Sequence, residues 1–217
     1  MITIRSIIYL IVFLSWTLSI ALLGLPMLLT REGALWATRF WARGVRLIAF
    51  WIVGIQLEIR GRDNIPTGPC IIAARHQSAF ETYMPFLLFE YPVFILKDSL
   101  QLIPLIGWYI KRGGLIAIDR KGGASAMRRL LRAANLAVAR KETILIFPEG
   151  TRTHPGERQE YKPGIVALYH HCDAPLVPMA LNSGYFWGKN RLLKVPGTIV
   201  FEFLPPIPQG QDRDAFL

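Results

Sequence analysis

Cysteine is scarce in this sequence. Cys70 and Cys172 are the only two among 217 residues, too few for a disulfide framework and spaced for no metal site, so both read as reduced core residues in a reducing compartment. Histidine is sparse too: His76, His154, His170 and His171 form no HExxH pattern and no Cys/His cluster, which argues against zinc. No GxxxxGK[ST] loop occurs, so nucleotide triphosphate chemistry lacks its usual phosphate cradle. Charged residues make up only 18% of the chain, yet 25 Lys and Arg face 15 Asp and Glu, for a net charge of +10. A nucleic-acid binder carries more charge and less apolar surface. With 52% hydrophobic residues, this basic chain suits an anionic membrane surface. No internal repeat or low-complexity tract appears.

What is present begins with a long apolar run. Residues 7–29 contain no charge, and as a helix rising about 1.5 Å per residue they come close to the ~30 Å of a bilayer core. Pro26 is placed to kink or end that helix, so a shallow hairpin competes with a full span. In residues 31–53, Arg39, Arg43 and Arg46 recur on one stripe while Phe40, Trp41, Leu47, Ile48 and Trp51 occupy the other side. That pattern predicts an amphipathic helix at a lipid interface, and its arginines favour the cytoplasmic side for the rest of the chain. Residues 1–53 are therefore expected to be membrane-anchoring helices, and residues 54–217 the remaining domain.

From residue 56 onward, short apolar runs near 56–60, 70–74, 93–96, 115–118, 143–147, 176–181 and 198–203 alternate with helical patterns at 82–89, 102–110, 124–140 and 163–171. Strands alternating with helices predict an α/β fold with a largely parallel sheet covered on both faces. Ligands collect beyond the carboxyl ends of such strands, where four clusters fall. The first is Ala74-Arg75-His76-Gln77-Ser78-Ala79-Phe80-Glu81. Five steps leave two side chains about 140° apart on a helix, and on opposite faces of a strand. With His76 in a turn and Glu81 in the first helical turn the two meet, and a carboxylate holding one ring nitrogen leaves the other free to take a proton. Ser78-x-x-Glu81 is equally a capping box, in which Glu81 serves only the helix start. On this stretch alone structure outweighs catalysis.

Gly114 to Arg120 is an apolar strand ending in an arginine beside glycines, suited to phosphate. Phe147-Pro148-Glu149-Gly150-Thr151-Arg152-Thr153 ends another strand with Glu149 as a hydroxyl acceptor and Arg152 as an anion partner, or with both serving the local turn. Pro178 interrupts the run at 176–181, marking an edge strand or bulge. Lys97 ends the strand at 93–96.

Together these four blocks, in order and spacing over roughly residues 56–205, resemble the glycerolipid acyltransferase family, and within it the bacterial members that acylate 1-acyl-sn-glycerol 3-phosphate. Glu81 stands where Asp is commoner in that family, Arg75 where Asn is usual and Thr153 where Ser is usual. The resemblance implies a mixed, largely parallel sheet flanked by helices, with His76 and Glu81 catalytic. Lys97, Arg120, Glu149, Gly150, Thr151, Arg152 and Pro178 become candidate substrate-binding residues. It further implies transfer of an acyl group from acyl-CoA or acyl carrier protein to a lysophosphatidic acid at the cytoplasmic side of a bacterial inner membrane, without a bound cofactor or metal. Related acceptors, such as glycerol 3-phosphate, a lysophospholipid or a lyso-ornithine lipid, form the second reading. A non-catalytic lipid-binding protein is the third.

Overall fold

The computed structural model describes residues 1–189 and 192–216. Helix α1 (Ile2–Leu23) ends at Gly24, and a 3-10 turn (Leu25–Leu29) carries Pro26 in its opening positions, where a missing N–H costs nothing. Helix α2 (Arg31–Ile48), capped by Thr30 through a 3.0 Å bond from the Gly33 N–H, runs on as a π-turn (Ala49–Val53) that stops at Gly54. Strands β1 (Ile55–Arg60) and β2 (Ile71–Ala74) come next, then one-turn helices α3 (Phe80–Tyr83) and α4 (Pro85–Leu88). The single helix expected over 82–89 is thus two, because Pro85 starts a new one. After them run β3 (Pro92–Lys97), a 3-10 turn (Asp98–Leu102), α5 (Ile106–Arg112), β4 (Ile116–Ile118), α6 (Gly123–Ala139) and β5 (Thr143–Ile146). The chain closes with α7 (Pro163–His171), β6 (Leu176–Leu181), α8 (Ser183–Phe186), β7 (Gly197–Phe203) and α9 (Arg213–Phe216). The short α8 has no counterpart among the expected helices.

The sheet has the order β1-β7-β6-β2-β5-β3-β4. Every neighbouring pair is parallel except β6 with β7. Alternation along the strands splits the core in two. Ile72, Phe94 and Leu145 point to one face, while Ile71, Val93 and Ile144 point to the other. Buried on both sides, these strands are continuous apolar runs rather than alternating ones. The first face is covered by α1 to α4, whose Tyr9, Leu35, Ala42, Val45 and Phe80 join its core. The second is covered by α6 and α7 through Leu130, Ala134, Ile165 and Leu168.

Pro178 lies in an interior strand, not at an edge. On one side β6 pairs with β2 in the register Ala73↔Pro178, and on the other its ladder with β7 starts only at Met179↔Phe203. The Pro178 carbonyl still accepts from the Leu204 N–H at 2.9 Å. A proline is tolerated inside the sheet because it stands where that ladder stops.

The stripes of α2 also differ from expectation. Its buried face is mostly small residues, Ala34, Ala37, Ala42 and Val45, with Leu35 beside them. Trp36, Phe40, Leu47 and Trp51 are exposed within about 60° of helical arc, bordered by Arg39, Arg43 and Arg46. Trp41 and Ile48, expected to face outward, pack inward. Trp41 donates to Thr17 Oγ1 at 2.9 Å and its carbonyl accepts from Trp16 Nε1 at 3.0 Å, so the indole is a joint between α1 and α2. At the base of α2, Arg31 pairs with buried Glu142 and donates to the Gly113 carbonyl at 3.2 Å, anchoring the helix pair to the sheet domain.

Gly44 makes the helix joint possible, since a Cβ there would overlap the Trp16 ring. Gly44→Ala is expected to push that indole out of place at a cost of roughly 1–3 kcal/mol, as overpacking does. Thermal melting in detergent reads it; an unchanged Tm would show that the ring is not clamped between the helices.

Candidate active site

Five parallel strands deliver the candidate residues to one rim: His76 lies just past β2, Lys97 ends β3, Arg120 lies past β4, Arg152 past β5 and Ser183 past β6. At its centre the Glu81 side chain is fully buried. Its Oε1 accepts from the backbone N–H of Gln77 at 2.6 Å and of Ser78 at 2.5 Å, and lies 3.0 Å from His76 Nδ1. Ser183 Oγ donates to Oε2 at 2.7 Å. Glu81 therefore serves the helix start and the imidazole at once, through one oxygen. The Ser78 hydroxyl completes the turn by accepting from the Phe80 N–H at 2.7 Å. Because a carboxylate can only accept, Nδ1 carries a ring proton, and in the neutral ring Nε2 presents the lone pair.

The rest of the His76 turn is held as firmly. Its ring stacks on Phe147, with centroids 4.2 Å apart and planes 16° from parallel. Its carbonyl accepts from the Thr153 N–H at 2.7 Å and from Thr153 Oγ1 at 3.2 Å. Gln77 Oε1 accepts from the Gly184 N–H at 3.0 Å, which draws α8 against the turn.

His76 stands where two cavities meet. The larger, about 570 Å³, runs between the N-terminal helices and the sheet, walled by Phe13, Ile20, Trp41, Phe86 and Leu115, with Lys97 on its lining. The smaller, about 260 Å³, is lined by His76, Arg120, Gly150, Thr151, Arg152 and Lys189. Arg120 and Arg152 border both. The imidazole thus lies where a largely apolar cavity adjoins a pocket lined by three cationic side chains.

Not every candidate joins this site. Pro178 lines neither cavity. Glu149 is buried, lines neither cavity, and faces Arg75 Nε at 3.4 Å, with no hydrogen bond to either carboxylate oxygen among the described residues. Burial pushes its carboxyl above the usual value, against an opposing pull from Arg75 and backbone groups. Its position gives Glu149 an ion pair with Arg75 beside the His76 turn. Arg75 also reaches the Glu157 carbonyl, so it ties the segment after β5 to the His76 turn. Gly150 has φ +68, a left-handed value that favours glycine, and this brings the Thr151-Arg152 backbone to the pocket wall.

Three participants carried no signal in the sequence: Ser183, which reaches Glu81 from 102 residues away; Phe147, read only as a strand end; and Lys189, whose Nζ donates to the Arg152 carbonyl at 2.8 Å. Only the N-terminal apolar helices hinted at the walls of the larger cavity.

A mixed, largely parallel α/β sheet carries a carboxylate-held imidazole on its rim, where an apolar cavity roofed by the N-terminal helices adjoins a cationic pocket. These features define a class, the membrane-associated enzymes that transfer groups to or from lipids. A protein-family model described as Acyltransferase matches residues 56–182. The chain is 34% identical over 174 residues to the 1-acyl-sn-glycerol-3-phosphate acyltransferase of Pseudomonas aeruginosa, covering 80% of this chain and 68% of that protein. It is 29% identical to the mouse 1-acyl-sn-glycerol-3-phosphate acyltransferase alpha, covering 88% of this chain and 68% of the other. In fold it matches the crystal structure of the 1-acyl-sn-glycerophosphate acyltransferase of Thermotoga maritima, with a TM-score of 0.73 over 95% of this chain and 88% of that one, at 21% identity. This chain belongs to the acyltransferase family.

Ser183→Ala removes one donor from a buried carboxylate, a bond to a charged group worth about 1.5–3 kcal/mol. Turnover is expected to fall by roughly tenfold or more with acceptor KM little changed. Glu81→Gln keeps an acceptor for the two backbone N–H groups but loses the charge, so turnover should drop by about 10²-fold or more while the fold melts within a few degrees of the original. Steady-state kinetics beside thermal melting separate the roles; a large melting shift with unchanged turnover would leave Glu81 as a cap alone.

Proposed function

We propose that the protein transfers a fatty acyl group from a thioester to the sn-2 hydroxyl of 1-acyl-sn-glycerol 3-phosphate, giving phosphatidic acid. The observation that carries this reading is the placement of His76 between an apolar cavity and a cationic pocket. Such an acceptor has one apolar chain, one phosphomonoester and a hydroxyl between them, and the two cavities offer matching surroundings on either side of the imidazole. The names of the Pseudomonas and mouse relatives support the same acceptor.

In the proposed reaction His76 Nε2 takes the hydroxyl proton as the oxygen attacks the thioester carbonyl. Glu81 holds Nδ1–H and stabilises the imidazolium that results. The tetrahedral intermediate expels the thiolate, which receives the proton back from the ring, leaving an ester and a free thiol. Arg120, Arg152 and Lys189 hold the phosphate, and a guanidinium fork suits two of its oxygens. Lys97, on the lining of the larger cavity, is assigned to the outer part of the same anionic head. The scheme asks for no resident cofactor or metal.

We further infer that α1 and α2 lie within one leaflet at the cytoplasmic face of a bacterial inner membrane. By length and composition α1 is able to cross a bilayer. It is, however, fastened to the domain along its length. The Ser6 hydroxyl accepts from the Lys194 N–H at 2.9 Å, Tyr9 packs edge-on against Trp187, and Tyr109 donates to the Ala21 carbonyl at 3.1 Å. A transverse span would carry those partners into hydrocarbon. The exposed stripe of Ile4, Ile7, Ile11, Leu14, Leu18 and Leu22 suits an embedded face instead.

His76→Ala, assayed in detergent with lysophosphatidic acid and an acyl thioester, is expected to lose at least about 10²-fold in turnover; near-normal turnover would remove the imidazole from the chemistry. Lys189→Gln and Arg152→Ala should each weaken use of the acceptor by the few kcal/mol of a charge-assisted bond, read as kcat/KM for lysophosphatidic acid. A panel including glycerol 3-phosphate, a lysophosphodiester lipid and a lyso-ornithine lipid checks the acceptor, and preference for one without a phosphomonoester would overturn the assignment.

A further inference from the structure

The sheet separates two kinds of surface. The large exposed apolar side chains of α1 and α2 lie on one face, while α6 covers the other. Helix α6 buries Ala126, Leu130, Ala134 and Ala137 against that second face. On its outer side Arg128, Arg129 and Arg132 are all turned toward solvent. At 100° per residue they fall within about 100° of arc, and they lie on the first ~14 Å of helix. No Asp or Glu occurs from Arg120 to Lys141, although seven Lys and Arg do. Asp119 keeps one carboxylate at the entry to the helix, its Oδ1 accepting from the Lys121 N–H at 2.9 Å.

Two features indicate what such a face meets. Among the described residues of α6, Leu136 is the only large aliphatic or aromatic side chain exposed, so the helix lacks the apolar stripe with which a helix enters a bilayer. Its strip of charge is also too long for a single small anion, but suits the opposed surface of an acidic protein. The position matters equally. Helix α6 opens three residues after Arg120, whose side chain borders both cavities. A partner seated there stands at the mouth of the site, on the side away from lipid.

We propose that the outer face of α6, through Arg128, Arg129 and Arg132, docks an acidic carrier protein that presents the acyl group as its thioester. The inference rests on the acyl-transfer reading and commits the donor side to a protein. Membrane lipid is held by the opposite face of the sheet. The carrier stays in solution, so the two substrates approach from different sides.

The test compares the unaltered protein with R128E/R129E/R132E, using lysophosphatidic acid as acceptor and palmitoyl acyl carrier protein or palmitoyl-CoA as donor. With the carrier-borne donor, kcat/KM should fall about tenfold or more, and with palmitoyl-CoA it should stay within about twofold. The triple lysine variant should restore use of the carrier, and added salt should slow the unaltered enzyme more with the carrier than with palmitoyl-CoA. Equal losses with both donors, no loss with either, or failure of the unaltered enzyme to use the carrier at all would overturn the proposal. So would reduced sedimentation of the variant with phosphatidylglycerol vesicles at unchanged carrier kinetics, which assigns the face to lipid. Transfer from neither donor by the unaltered protein would instead overturn the acyltransferase reading, a result distinct from the others.

Discussion

A buried carboxylate is costly unless hydrogen bonds replace the water it has lost. Glu81 meets that demand with the Gln77 and Ser78 amides, the His76 ring and the Ser183 hydroxyl. These donors come from the turn after β2 and from α8 after β6, so satisfying one charge fixes two rim segments relative to each other. The imidazole tautomer is set by the same constraint, since an acceptor-only partner at Nδ1 leaves the lone pair on Nε2. Rotation of the ring is opposed from its face as well, by Phe147. Helix capping and ring orientation are thus one arrangement, with no competition between them.

Around that fixed point the surroundings are divided. The tunnel beside His76 owes its apolar walls to α1 and α2 lying over the sheet, and that close approach depends on small residues in α2 and on Gly44 beneath Trp16. The cationic pocket owes its charge to segments from β4, β5 and the stretch after α8. Arg75 pairs with Glu149 and reaches the Glu157 carbonyl, which braces the segment after β5 against the His76 turn. An amphiphilic acceptor matches this division.

The same division holds on the scale of the whole sheet. One face carries the helices with exposed apolar stripes, and the other carries the arginines of α6. With the docking proposed for α6, a parallel sheet covered on both sides would give the two substrates separate approaches to a single rim, because strand ends from both halves of the sheet converge there.

Much of this was written locally. Apolar runs of four to six residues separated by helical patterns sufficed for a largely parallel sheet, and the change from strand to helix pattern around His76 and Glu81 pointed to a turn in which the two can meet, because both are local features of the chain. Arg120 and Arg152 were legible for a similar reason, each standing just beyond a strand. What the sequence left open depended on partners distant along the chain. Ser183 reaches Glu81 across 102 residues, and Lys189 acquires a role only when the stretch after α8 brings it to the Arg152 carbonyl. Pro178 reads as an edge residue until the β6–β7 ladder is seen to stop beside it. Trp41 reads as lipid-facing until Thr17 accepts its N–H, and Glu149 acquires its partner only when Arg75 is brought beside it. Periodicity determines which residues share a face; only tertiary packing decides what that face meets, because burial and hydrogen-bond partners are properties of the assembled chain.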